Sequence, residues 1–213
     1  MLGSFVIIDD HPLYRSGISA LVHERLGLRC IGEASTIDEA RQLLAHVKPT
    51  LAIIDISLQD ENGLTLVSEC KHAYPSLKML VVSMHDESLY GERALKAGSH
   101  GYVMKHEAPE VLIHAIRLIL EGQLGISQNL KDRLVERFAT GNDSHVERLS
   151  ERELEILGLI GKGYGALEIA SSLNISVKTV HTHQDHIKQK LGLLSANELR
   201  RFAVHWYVDK TRV

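Results

Sequence analysis

Short apolar runs alternate with amphipathic stretches over residues 1–121. Phe5-Val-Ile-Ile8, Leu28-Arg-Cys-Ile31, Leu51-Ala-Ile-Ile54, Met79-Leu-Val-Val82 and Gly101-Tyr-Val-Met104 predict five strands. Three of them are nearly continuous β-branched or aliphatic runs, the composition of strands covered on both faces. Helical spacing fills the gaps: Ile18, Leu21 and Val22 mark the first helix, Thr36 to Glu39 reads as a capping box opening the second, and Leu112, Ala115, Ile116 and Ile119 line one face of the last. Regular strand–helix alternation predicts an α/β fold, a flavodoxin-like doubly wound parallel sheet of five strands.

The pattern then changes. Residues 122–148 hold Gly122, Gly125, one helical pattern at Leu130 to Phe138 and the polar stretch Thr140-Gly-Asn-Asp-Ser144, and read as a linker with a helix in it. From 149 to 213 the spacing is helical throughout, with capping boxes at Ser150-Glu-Arg-Glu153 and Ser195-Ala-Asn-Glu198. A short helix from Ala166 to Leu173, a turn at Asn174-Ile175, and a helix capped by Ser176 and ending at Gly192 predict a small all-α domain of four helices containing a helix-turn-helix. The chain is therefore expected to comprise two domains, 1–121 and 149–213.

Charge separates the two halves. Residues 1–121 carry 11 Lys/Arg against 16 Asp/Glu, whereas residues from Ser176 onward carry 7 against 3, with four histidines besides. A basic end beyond an acidic one points to a polyanionic partner for the former. Hydrophobic residues at 44% and charged residues at 24% are ordinary for a globular protein and exclude a disordered chain. No apolar run approaches the roughly 18 residues of a membrane span, and the first ten residues lack the pattern of a signal peptide, so a cytoplasmic location without membrane contact is expected. Cys30 and Cys70 lie in apolar segments without metal spacing and are expected to be reduced thiols.

Candidate chemistry gathers at the predicted strand ends. The first strand ends in Asp9-Asp10, the third in Asp55, the fourth in Ser83, and Lys105 follows the fifth. Parallel strands point one way, so these residues are expected on one edge, where such sheets bind ligands. A lone Asp at a strand end is more often a helix cap, and a lone Lys a solvated charge; the coincidence of all five argues for a site. Three neighbouring carboxylates repel and need a cation, and an oxygen-only donor set suits Mg²⁺. Asp55 is then placed to become an aspartyl phosphate, with Ser83 and Lys105 holding phosphoryl oxygens.

On these residues, and on Asp9-Asp10-His11-Pro-Leu-Tyr-Arg15, the first part of the chain resembles a response-regulator receiver of the NarL/FixJ subfamily. The resemblance implies that Asp10 ligates Mg²⁺ directly and Asp9 mostly through water, that the Ser57 carbonyl completes the metal shell, and that Asp55 receives its phosphoryl group from a sensor histidine kinase. It also assigns Tyr102 as the aromatic switch that turns inward when Ser83 moves toward the phosphoryl group. Gln59 departs from the proline common in this loop, and Met84 from a smaller residue.

Leu149-Ser-Glu-Arg-Glu153, Glu168-Ile-Ala170, Leu173-Asn-Ile-Ser176, Thr179-Val180, His183, Ile187 and Lys190-Leu191 resemble the LuxR-type helix-turn-helix. On the recognition helix Val177, Val180, Ile187 and Leu191 are expected to face inward, leaving Lys178, Thr182, Asp185 and Gln189 on the opposite side. The resemblance implies base reading by His181, Thr182 and Asp185 in double-stranded DNA, with Thr179 at the same surface and Lys178, Lys188 and Lys190 on phosphates. Asp185 is unusual where basic side chains are common. His181, His183 and His186 do not converge on a metal by their spacing along one helix, and no Cys accompanies them.

The expected function is a phosphorylation-dependent DNA-binding transcriptional regulator of a two-component system, a homodimer when phosphorylated, and not an enzyme beyond its own phosphorylation and dephosphorylation. The final helix, with Leu199, Phe202, Ala203 and Trp206 at helical spacing, reads either as a dimer contact or as a core stripe. One alternative is a regulator that binds DNA without phosphate and uses the receiver for docking. Another is a phosphatase acting through an aspartyl phosphate, against which stands Ser57, since enzymes of that kind carry a general-acid Asp at this spacing.

Overall fold

The computed structural model describes residues 3–58, 61–140 and 145–211. Gln59, with its missing proline, and residues 141–144 of the polar stretch lie outside them. The chain divides into two compact units, 1–132 and 133–213.

In the first unit, strands β1 (Ser4–Ile8), β2 (Arg29–Ala34), β3 (Leu51–Asp55), β6 (Lys78–Ser83) and β7 (Gly101–Met104) form one parallel sheet in the order β2-β1-β3-β6-β7. A two-stranded antiparallel ribbon, β4 (Ser57–Leu58) and β5 (Glu61–Asn62), follows β3. Helices α1 (Pro12–Leu26), α2 (Ile37–His46), α3 (Gly63–Ala73) and α4 (Glu87–Ala97) connect the strands of the sheet, and α5 (Pro109–Leu120) follows the last of them. Every residue of β3 is buried, which is why its sequence is unbroken Leu-Ala-Ile-Ile before the aspartate. One core layer sets Phe5, Ile7, Leu51, Ile53, Leu80 and Val82 of the sheet against Ile18 and Val22 of α1 and Leu112, Ile116 and Ile119 of α5.

Edges depart from the sequence pattern. β2 runs to Ala34, three residues past the apolar run, because an edge strand with half-exposed Gly32 and exposed Glu33 does not show as continuous hydrophobicity. At β7 the opposite edge is covered: the Tyr102 N–H donates to the Gly125 carbonyl at 3.0 Å and the Gly125 N–H to the His100 carbonyl at 2.9 Å. The Thr36 cap is reciprocated one residue early. Its side chain accepts from the Glu39 N–H at 3.2 Å, while the Glu39 carboxylate accepts from the Ser35 N–H at 2.7 Å and from its hydroxyl.

Helix α6 (Gln128–Thr140) crosses the division between the units, and Leu130 in its first turn is buried in the first. The second unit contains a 3₁₀ turn (His145–Arg148) and helices α7 (Glu151–Gly161), α8 (Ala166–Ser172), α9 (Val177–Leu191) and α10 (Ala196–Thr211). Ser150 forms a full capping box with Glu153. Asn174 takes φ of 51° in the tight turn before α9, a left-handed conformation that asparagine tolerates better than most residues. Leu154, Leu157, Ile169, Val180, Ile187, Leu199 and Ala203 form the buried centre, so Leu199 and Ala203 on α10 serve this unit's own core. No helix among the described residues is long and apolar enough to cross a membrane. Cys30 and Cys70 are free thiols.

Candidate phosphoacceptor pocket and recognition helix

The strand order reverses direction between β1 and β3, and the carboxyl ends at this switch frame a crevice. Asp9 follows β1, Asp55 ends β3, Ser83 ends β6, and Lys105 follows β7. Register brings the last two together, because Ser83 pairs with Met104 and its carbonyl accepts from the Lys105 N–H at 2.7 Å. The Lys105 ammonium lies 2.6 Å from Asp55 Oδ2 and 2.7 Å from Asp9 Oδ2, and all three side chains are almost wholly buried. The Tyr14 ring lies against this ammonium, 4.7 Å from its centroid.

Burial drives the electrostatics. It pushes the Asp55 carboxyl above its ordinary value, against the opposing pull of Lys105, and the negative charge of Asp9 adds to the rise. Burial likewise raises the Tyr14 hydroxyl, helped by Asp9 and Asp55. Around the carboxylates, backbone donors fix the loops: the His11 N–H donates to Asp9 Oδ1 at 2.8 Å and the Ser57 N–H to Asp55 Oδ1 at 3.1 Å. Arg15 donates to the Asp9 carbonyl at 2.6 Å and pairs with Glu33, which anchors the turn after β1.

Asp9, Asp10, His11 and Asp55 each offer a ligand atom within 4.8 Å of the others, so this cluster can hold a metal ion. Three of its four donors are carboxylates, the set a hard divalent cation prefers. The Ser57 side chain is exposed, in the ribbon that leaves β3.

Tyr102 is turned inward and 2% exposed. Its hydroxyl donates to the His85 carbonyl at 2.9 Å, and the His85 N–H donates to Ser83 Oγ at 3.0 Å. His85 Nε2 also lies 3.2 Å from Ser57 Oγ, and its ring stacks on Tyr90 with centroids 4.4 Å apart. His85 thus links the Ser83 hydroxyl at the end of β6 to Tyr102, the aromatic expected to switch.

In the second unit, α9 is capped by Ser176, which accepts from the Thr179 N–H at 3.0 Å, and is closed by Gly192 with φ of 69°. Val180 and Ile187 are buried, with Val177 and Leu191 half-buried on the same side. Lys178, His181, Thr182, Asp185 and Gln189 are exposed, and Thr179 is half-buried next to the cap. The charges on α9 are partly committed: Lys188 pairs with Asp185 at 2.8 Å, and Lys190 reaches Glu153 of α7 at 2.6 Å. Arg152 of α7 donates to the Leu173 carbonyl at 2.8 Å, tying the turn before α9 to the same helix.

Residues 5–117 match the response regulator receiver domain family, and residues 147–203 match the bacterial regulatory proteins of the luxR family. The chain belongs to the response regulators. Oxygen regulatory protein NreC of Staphylococcus aureus is 36% identical to it over 207 residues, covering 93% of this chain and 95% of that protein. RcsB from Salmonella enterica serovar Typhimurium, solved bound to promoter rprA with phosphomimetic BeF3⁻, aligns with TM-score 0.61 and 26% identity over 96% of this chain and 99% of its own. A structure of two RcsB dimers bound to two parallel DNAs aligns over the whole of both chains with TM-score 0.59 and 26% identity. This response regulator accordingly combines a receiver with a LuxR-type helix-turn-helix, the architecture of a two-component transcription regulator.

Three residues of the response regulator's pocket escaped sequence reasoning. His11 bridges Asp9 and Asp10, with Nδ1 at 3.2 and 2.7 Å from their Oδ1 atoms, and its only sequence signal was its place in the Asp-Asp-His run. His85 carried no signal of its own. Gly63, the first residue of α3, sits where a Cβ would lie 1.9 Å from the Asp55 carbonyl oxygen; its signal was a glycine just after the capping Asn62.

Proposed function

We propose that Asp55 accepts a phosphoryl group from the phosphohistidine of a sensor histidine kinase, and that this event controls binding of the LuxR-type domain to double-stranded DNA as a homodimer. The carrying observation is the Asp55 carboxylate, buried at the sheet switch with Lys105 at 2.6 Å and Ser83 ending the neighbouring strand. An Asp55 oxygen forms the bond to phosphorus as the phosphorus–nitrogen bond of the kinase breaks, and the departing imidazole keeps the electron pair and takes up a proton. Lys105 and the Ser83 hydroxyl then hold phosphoryl oxygens, which draws the ammonium away from Asp9. Asp9, Asp10, Asp55 and the Ser57 carbonyl are the residues that would hold Mg²⁺, whose charge offsets that of the carboxylates and the phosphoryl group.

Movement of Ser83 reaches Tyr102 through His85, and with it the surface of α4, β7 and α5. The DNA reading rests on α9: His181, Thr182 and Asp185 face base edges beside Thr179, and Lys178, Lys188 and Lys190 supply positive charge toward phosphates, Lys190 while paired to Glu153. The RcsB structures on promoter DNA and as dimers on DNA support the partner and the dimer. The receiver acts only on its own phosphorylation and dephosphorylation, and the cytoplasm, where kinase and chromosome are both reachable, is its place of action. Acetyl phosphate with Mg²⁺ should add one phosphoryl mass to the protein, lost in Asp55→Asn, and footprinting should show stronger protection of the phosphorylated form. Absence of the mass gain would overturn the assignment of Asp55.

A second reading, DNA binding without phosphoryl transfer, is favoured by one observation: Tyr102 already points inward with Asp55 unmodified. Equal footprints with and without the phosphodonor would select it.

A further inference from the structure

The second unit brings together three groups that spacing along α9 alone does not. Glu153, in the first turn of α7, is 3% exposed, and His183 and His186 approach it from α9. Each of the three offers a ligand atom within 4.8 Å of the others. We propose that Glu153, His183 and His186 form a binding site for one Zn²⁺ ion, tying the start of α7 to the middle of the recognition helix.

Three features carry the proposal. First, His183 Nδ1 is buried without a hydrogen-bond partner among the described residues, a polar atom that a ligand would satisfy. Second, His186 Nδ1 stands 3.9 Å from Glu153 Oε1, too far for a hydrogen bond. Ligand atoms around tetrahedral zinc lie roughly 3.4 Å apart, given metal–ligand bonds of about 2.0–2.2 Å, so a small rotation of the exposed His186 side chain closes the gap. Third, the carboxylate is already oriented: Glu153 Oε2 accepts from the Ser150 N–H at 2.7 Å and from Lys190 at 2.6 Å, leaving Oε1 toward the histidines. Outer contacts of this kind fix metal-binding carboxylates.

The donor set also selects the ion. Two imidazoles and one carboxylate suit a borderline transition metal, while Mg²⁺ and Ca²⁺ prefer oxygen throughout. Lys190 and Arg152 put positive charge near the site and disfavour weakly bound cations further. The three protein ligands leave a fourth position for water.

The test uses the full-length protein in excess Mg²⁺, titrated with Co²⁺ as a spectroscopic stand-in and then with Zn²⁺. Wild type and Asp10→Asn, which impairs the receiver cluster, should both develop the intense visible bands of a nitrogen-ligated tetrahedral site, and Zn²⁺ should bleach them. His186→Ala, at a position whose side chain is 54% exposed, should lose the bands and weaken zinc binding at least tenfold. Bands that persist in His186→Ala, bands lost in Asp10→Asn, or equal zinc affinity in wild type and His186→Ala would each overturn the site.

Discussion

Two glycines in the receiver should respond to the same substitution with opposite signs. A Cβ on Gly63 would lie 1.9 Å from the Asp55 carbonyl oxygen, 2.9 Å from its carbon and 3.0 Å from Ile56 Cα, all backbone atoms. Contacts under 3.0 Å essentially never occur, so α3 and the end of β3 must separate by at least 1.1 Å, the difference between 3.0 and 1.9 Å. Strand β3 pairs on both sides, and the Gly63 N–H donates to the Ile56 carbonyl at 2.7 Å, so neither partner yields freely. Overpacking of this kind costs about 1–3 kcal/mol. Gly17, inside α1, meets nothing within 4 Å, and there alanine should stabilise by about 0.5–1 kcal/mol through helix propensity. Urea unfolding followed by far-ultraviolet circular dichroism measures both, and Trp206, the one tryptophan and a residue of the second unit, reports whether that unit stays unaffected. Because a displacement near 1 Å can cost about a hundredfold in rate, Gly63→Ala should also slow phosphorylation of Asp55 by acetyl phosphate. Unchanged stability in Gly63→Ala, within about 0.5 kcal/mol, would refute the reasoning, as would a destabilised Gly17→Ala.

Ser150→Ala removes the cap that accepts from the Glu153 N–H at 3.3 Å and should destabilise the second unit by about 1 kcal/mol, read from Trp206 fluorescence in urea. Burial pushes the Cys70 thiol up to about 11, so a disulfide reagent near pH 8 should label the half-exposed Cys30 first. Because the folded state keeps a proton that an unfolded Cys70 loses above its ordinary value of 9.0, this group should lower stability as pH rises from 9.0 toward about 11; a Cys70→Ala variant with the same alkaline decline would contradict that. Asp185→Ala should relax preference at one base pair of the operator in competition binding, whereas a uniform change across sequences would deny it a base-reading role.

The sheet was legible because strands covered on both faces must be almost entirely apolar, and Leu51 to Ile54 obeys that rule at every position. The same rule shortens β2, where the edge admits Gly32 and Glu33. The five strand-end residues could be grouped before any coordinates, since parallel topology alone brings Asp9 and Lys105 to one edge. What joins them laterally was not legible. His85 meets Ser57, Ser83 and Tyr102 through loop conformation, and Gly63 is required by one backbone approach, neither of which has a periodic signature. The α9 wheel correctly separated buried Val180 and Ile187 from exposed Lys178, Thr182 and Asp185, yet it gave no hint that Lys190 reaches across to Glu153, 37 residues earlier.

That contact changes how the basic end of the chain should be understood. Net charge from Ser176 onward is positive, but on α9 itself Asp185 offsets Lys188 locally and Lys190 is engaged with a buried carboxylate. Glu153 is held below the ordinary carboxylate range by Lys190 and by its capping bonds to Ser150, against the cost of burial, so it remains an anion in the folded unit. The buried Glu153 carboxylate orients Lys190 and offsets part of the positive charge that α9 carries. On the proposed DNA-binding reading, such a helix would gain little from phosphate attraction alone and would depend more on base contacts and on pairing two half-sites. Where phosphorylation adds a second copy, as proposed above, weak single-copy affinity would make the added copy decisive.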